Sequence, residues 1–118
     1  MHMKCIIQEY CLSLPRTTED FPFDDKVWTG KVYNKIFILM DIFADETAMN
    51  LKCDPDYAEE LRAEYDCIKP GWHMNKKHWN TITYNSSEID LKFLKELIQH
   101  SYDLVLKAVP KKIREAHD

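Results

Sequence analysis

Residues 35–43, Lys-Ile-Phe-Ile-Leu-Met-Asp-Ile-Phe, are the longest stretch of the chain in which apolar side chains succeed one another without alternating with polar ones. Nine residues are short for a buried helix, and isoleucine and phenylalanine favour a pleated backbone. The stretch therefore predicts a central strand buried on both faces, with a strand on either side and cover above and below. Val27–Val32 alternates just before it, and Tyr33-Asn34 predicts a tight turn, since asparagine tolerates a left-handed backbone. Ala48–Cys53 predicts the next strand, beyond an acidic turn at 44–47.

Helices flank this group. Lys4–Ser13 repeats apolar residues at three- and four-residue spacing (Ile6, Ile7, Tyr10, Cys11, Leu14) until Pro15 stops it. Cys11 lies in that stripe and is expected to fill the core. Arg16–Asp20 reads as a polar loop, and Phe21-Pro22-Phe23 as a short extended lead-in. Asp54-Pro55 starts a second helix, the aspartate capping free amides and the proline sitting where no donor is missed. Its acids Asp56, Glu59 and Glu60 suit the helix dipole and predict a solvated face. Trp79–Tyr84 alternates as a strand. Asp90 caps a long helix to Val109, with Leu94, Leu97, Ile98, Ser101, Val105 and Ala108 on one stripe, and Pro110 separates it from a short basic tail helix. The predicted order is α-β(3)-α-β-α: one α+β domain over residues 1–118, with an antiparallel sheet packed against helices.

Charge is unevenly placed. The net charge is -4, yet from Asp41 to Asp66 nine acids face only Lys52 and Arg62, whereas Cys67–Tyr84 holds Lys69, Lys76 and Lys77 and no acid. Within that segment, residues 69–81 read Lys-Pro-Gly-Trp-His-Met-Asn-Lys-Lys-His-Trp-Asn-Thr, with one of the chain's two glycines and two of its three tryptophans. Aromatics among cations and amides stack on rings and hydrogen-bond to phosphate or carboxylate. Trp79 opens a strand and is expected in the core, whereas Trp72 follows the proline-glycine break and stays ambiguous. Asn75 is expected to hold the loop through local backbone hydrogen bonds. Lys76, Lys77 and His78 are the strongest anion contacts.

Two glycines are too few for a glycine-rich phosphate loop, and no serine sits in a nucleophile elbow, so no enzyme activity is expected. The four cysteines are too far apart for paired zinc ligands, and neither metal nor cofactor is expected. No secretory signal or membrane span is visible, which predicts a cytoplasmic protein with free thiols and no membrane contact.

The chain resembles the MmcQ/YjbR family. The resemblance rests on Phe21-Pro22-Phe23, Lys35-Ile36-Phe37, Leu51-Lys52-Cys53-Asp54-Pro55, Glu60-Leu61-Arg62, the whole of 69–81 and Ser101-Tyr102-Asp103-Leu104-Val105, in the family's order and over nearly the whole chain. It implies an α+β fold similar to CyaY and type III secretion chaperones, with two β-hairpin wings, and it implies DNA binding. The chain departs from the family at Asn34, where glycine is common, at the glycine-free turn Asn85-Ser86-Ser87, and at Ile89, often proline. On this reading Lys31, Lys69, Trp72, His73, Asn75, Lys76, Lys77 and His78 contact nucleic acid. The alternative is a protein-interaction module, chaperone- or adaptor-like, that receives an acidic or extended peptide. Either is expected as a monomer or weak homodimer.

Overall fold

A computed structural model describes residues 2–42, 47–72 and 74–117, with His117 described by its backbone alone. The acidic turn predicted at 44–47 falls largely outside these residues, as does His73. In chain order the elements are α1 (Met3–Ser13), β1 (Thr17–Asp20), β2 (Val27–Val32), β3 (Lys35–Asp41), β4 (Ala48–Lys52), α2 (Pro55–Glu64), β5 (Ile68–Pro70), β6 (Trp79–Thr83), α3 (Leu91–Ala108) and α4 (Lys111–His117). The strands form one sheet in the order β1-β2-β3-β4-β6-β5, every neighbouring pair antiparallel. This is the α+β architecture that the sequence predicts, with two strands more than its α-β(3)-α-β-α order.

Both additional strands are edges. Thr17–Asp20 was expected as a loop because it has no apolar member; it pairs with β2 along its whole length and is mostly exposed. Ile68–Pro70 is only three residues long and ends in proline. Short, polar or proline-terminated strands carry little hydrophobic signal, and such strands belong at sheet edges.

The turn at Tyr33-Asn34 forms as expected, with φ of 48° and 64°. The first glycine, Gly30, lies where a Cβ would stand 2.7 Å from Ile38 Cγ2, so its absence makes room for the neighbouring strand. Asp54 and Asp90 cap α2 and α3, their carboxylates accepting from Tyr57 N and Phe93 N.

β3 is not covered on both faces by separate layers. Trp28, Val32, Ile38, Met40, Met49, Leu51 and Ile82 join one core with Ile7 and Cys11 of α1, Leu61 of α2 and Leu94, Leu97 and Ile98 of α3. The helices therefore share one face. The opposite face is crossed by a single row of directly paired residues, Asp20, Thr29, Leu39, Asn50, Thr81 and Lys69. Leu39 is buried there but lies outside the core. Flanked in register by Thr29 and Asn50, it is screened by its own strand neighbours rather than by a helix. The sequence signal was hydrophobic on both faces; the structure uses only one of them as its core.

Ser101 ties α3 to the sheet. Its hydroxyl donates to Phe37 O at 2.6 Å and accepts from Lys52 N at 2.9 Å, filling the gap where a bulge at Gly30/Lys31 disturbs the β3 register. Of the stripe expected on α3, Ala108 is exposed, and Tyr102 is buried in addition.

Candidate nucleic-acid interface

The basic segment forms the connection from β5 to β6, at one edge of the sheet. Gly71 N donates to Trp79 O at 2.8 Å, which continues the ladder one step beyond β5. A Cβ at Gly71 would meet Trp79 Cβ at 2.8 Å and Trp79 O at 3.0 Å, so the second glycine is needed for close approach. Met74 N reaches Gly71 O at 3.3 Å, and Lys76 Nζ donates to the same carbonyl at 3.1 Å. Asn75 Oδ1 accepts from Lys77 N at 2.9 Å and His78 N at 3.2 Å, while its carbonyl accepts from Trp79 N at 3.0 Å. Asn75 is thus the loop's internal brace, as expected from its side chain.

Arg62 clamps the loop from the helical side. Its Nε donates to Asn80 Oδ1 at 2.6 Å, and its Nη2 donates to the carbonyls of Lys76 and Trp79. Sequence reasoning counted this arginine only as an offset to the acids of α2 and as part of the family resemblance. Its position in the last turn of α2 carries no motif, so only the fold shows what it holds.

On the sheet side, the register places Lys52 opposite Trp79 and Lys69 opposite Thr81. Paired residues point to the same face, so Lys52, Lys69, Trp79 and Thr81 line that side of the β6 edge. The Thr81 hydroxyl donates to Asn50 Oδ1 and accepts from Trp72 N at 2.9 Å, and this relay fixes the loop's first turn. Trp72 itself is 66% exposed. Trp79 is half-buried and outside the core, which corrects the expectation that it fills the core. The buried tryptophan is Trp28, fully enclosed and hydrogen-bonded to Glu19 Oε1.

Of the predicted site residues, Lys69, Trp72, Asn75, Lys76, Lys77 and His78 lie together. His78 is half-buried and its carbonyl accepts from Cys53 N, so its backbone is structural. Lys31 does not join them. It stands on β2, four strands from β5, or about 19 Å at the usual strand spacing. Its ammonium pairs with Asp20 at 2.9 Å with the lysine side chain only 12% exposed. Lys52, opposite Trp79, lies beside the group instead.

Among the described residues no carboxylate lies within ion-pair distance of Lys52, Lys69, Lys76 or Lys77. The Glu88 carboxyl is held below its usual range, chiefly by the amides of Asp66 and Cys67, which it accepts, and in a small part by Lys69. The acids Asp56, Glu59, Glu60 and Glu64 are exposed on α2, on the helical side of the sheet. The thiols of Cys11 and Cys53 are pushed up to about 12 by burial, and that of Cys67 is also raised. Such thiols stay protonated near neutral pH and make poor nucleophiles.

A model of the YjbR family matches residues 12–104. The chain is 37% identical to protein YbdF of Escherichia coli O157:H7 over 101 residues, covering 86% of this chain and 82% of that one. It is 28% identical to YjbR of Escherichia coli K12 over 107 residues, covering 91% and 90%. Among solved structures, Deinococcus radiodurans protein DR2400, a DUF419 domain, superimposes with a TM-score of 0.87 at 38% identity, covering 98% of this chain and 88% of that one. A Pseudomonas syringae protein superimposes with a TM-score of 0.72 at 27% identity, covering 89% and 99%. By sequence and by fold, this chain belongs to the YjbR family.

Proposed function

We propose that the chain binds DNA through the β5–β6 edge, with Lys52, Lys69, Lys76 and Lys77 meeting phosphates and Trp72 stacking on a base. The observation that carries this reading is the exposed Trp72 ring within a group of lysines that have no described carboxylate within ion-pair distance. The acids of α2 lie on the opposite side of the sheet, where a bound strand does not meet them. Four cations make a modest site. Binding is expected to weaken with salt at a log-log slope of about -2.8 to -3.6, the single-strand and duplex values for four contacts.

The test is a salt titration of labelled single-stranded and duplex DNA against wild type and a Lys76→Ala/Lys77→Ala variant. The variant is expected to bind more weakly with a slope smaller by about 1 to 2. If wild type binds neither form at low salt, the reading fails. If the variant binds as well as wild type, the residues assigned here are the wrong ones.

A peptide-binding reading has its own support. β1 is a polar edge strand, and Phe21 and Phe23 just beyond it are 41% and 65% exposed. An extended peptide adding to β1 with an apolar side chain against these rings fits that edge. In that case an extended peptide shifts the amide signals of residues 17–23, and Phe23→Ala weakens it while DNA binding stays unchanged.

A further inference from the structure

At the same end of the strands as the basic loop, but sideways from it across the sheet, a cleft of about 350 Å³ opens between the end of α1, the β2–β3 turn, α3 and α4. Its walls include Arg16, Tyr33, Tyr102, Leu106, Lys111 and Arg114. A second recess of about 390 Å³ shares Arg16 and Tyr33 and continues along Thr17, Thr18 and Asn34. We propose that this cleft binds a small organic phosphate of mononucleotide size, its anionic group between Lys111 and Arg114 and its ring against Tyr33 and Leu106.

Four observations converge on the cleft. Among the described residues, Lys111 and Arg114 of α4 line it beside one carboxylate, Glu115, which is 3.7 Å from Lys111 and largely exposed. An exposed pair of that kind leaves most of the lysine's charge available to an anion. Second, two polar atoms in these walls are sequestered from solvent without a partner, Arg114 Nε and Thr17 Oγ1. A buried guanidinium donor with nothing to donate to is costly, and a ligand oxygen would satisfy it. Third, all the described non-glycine residues with positive φ lie here: Arg16 at 64°, Tyr33 at 48° and Asn34 at 64°. The hairpin turn accounts for Tyr33 and Asn34, but a bulky side chain at Arg16 is strained, and such strain collects at binding sites. Fourth, the walls are braced. Tyr102 Oη donates to Pro15 O at 2.5 Å and Tyr33 Oη donates to Arg114 O at 3.4 Å, so α3, α4 and the turn hold the cleft open. A pocket of this size with an apolar lining and a few converging polar groups suits a small molecule.

The cleft shares no residue with the β5–β6 edge, so the test separates the two. Amide spectra of the whole chain are recorded while adenosine 5′-monophosphate, inorganic phosphate or adenosine is added to about 5 mM, enough to read millimolar affinity. The monophosphate is expected to shift residues 15–18, 33–34, 102–106 and 111–115, and to bind more tightly than either half alone. Arg114→Gln is expected to weaken it roughly tenfold, the loss of one charge-assisted contact. Lys111→Ala, at an exposed position that cannot unfold the chain, should weaken it several-fold, and Lys76→Ala/Lys77→Ala should leave it unchanged. The proposal is overturned if the monophosphate shifts nothing, if its shifts map to residues 69–79, if phosphate alone binds as tightly, or if both cleft variants bind like wild type.

Discussion

Ser101 shows how much one hydroxyl decides. It is fully buried and satisfies a donor on β4 and an acceptor on β3 just beyond the last pair of their ladder, Ile38 and Leu51. Ser101→Ala keeps the shape but leaves both backbone groups unpaired, which should cost about 2 to 4 kcal/mol by urea unfolding. Gly71→Ala is expected to cost about 1 to 3 kcal/mol, because the new methyl meets the backbone carbonyl of Trp79 as well as its Cβ. His100 gives a pH dependence. Its Nε2 accepts from Asp54 N at 3.2 Å, which requires the neutral ring, and burial pushes its pKa below the usual value despite the carboxylates of Asp54 and Asp103. The unfolded chain therefore takes up this proton first. Stability from this group is complete above about pH 6.5. It falls as the pH drops from there towards the folded pKa, and His100→Gln should flatten that part of the profile. Thiol labelling should follow exposure, with Cys5 reacting first and Cys11 and Cys53 only on unfolding.

Among the elements, α2 has a double task. Its buried residues Ala58 and Leu61 anchor it to the core, and Arg62 from the same helix holds the β5–β6 loop through two carbonyls and Asn80. Arg62→Ala is expected to loosen residues 72–78, read as lower amide order parameters, while the melting temperature falls only slightly. The same substitution should weaken DNA binding without removing any phosphate contact, since it releases the loop that presents Lys76 and Lys77. Arg62→Lys keeps the charge but not the fork that reaches three acceptors, and should behave more like alanine than like wild type.

At the scale of the whole molecule, the sheet separates two chemistries. Its helical face carries the core and, outside it, the acids of α2; its other face runs from Asp20 at one edge to Lys69 at the other. The net charge of -4 therefore hides a local group of lysines at the β5–β6 edge. DNA affinity is expected to depend on salt far more steeply than a protein of this net charge suggests, and to vanish when Lys52, Lys69, Lys76 and Lys77 are all replaced by alanine. Among the described residues no helix is long and apolar enough to cross a membrane.

Local chemistry was readable along the chain. The periodicity of α1 and α3, the caps at Asp54 and Asp90, the Tyr33-Asn34 turn and the brace at Asn75 each depend on residues within a few positions of one another, and each formed where the sequence placed it. The edge strands β1 and β5, the exposure of Trp79, the separation of Lys31 from the basic group, the position of Lys52 beside it and the clamp at Arg62 did not show. All of these depend on which strands become neighbours and which face the helices take, and those are set by contacts between residues far apart in the chain. A lysine's partner or a tryptophan's solvent exposure follows from that packing, because the same side chain has the same local pattern whether it faces the core, a carboxylate or water.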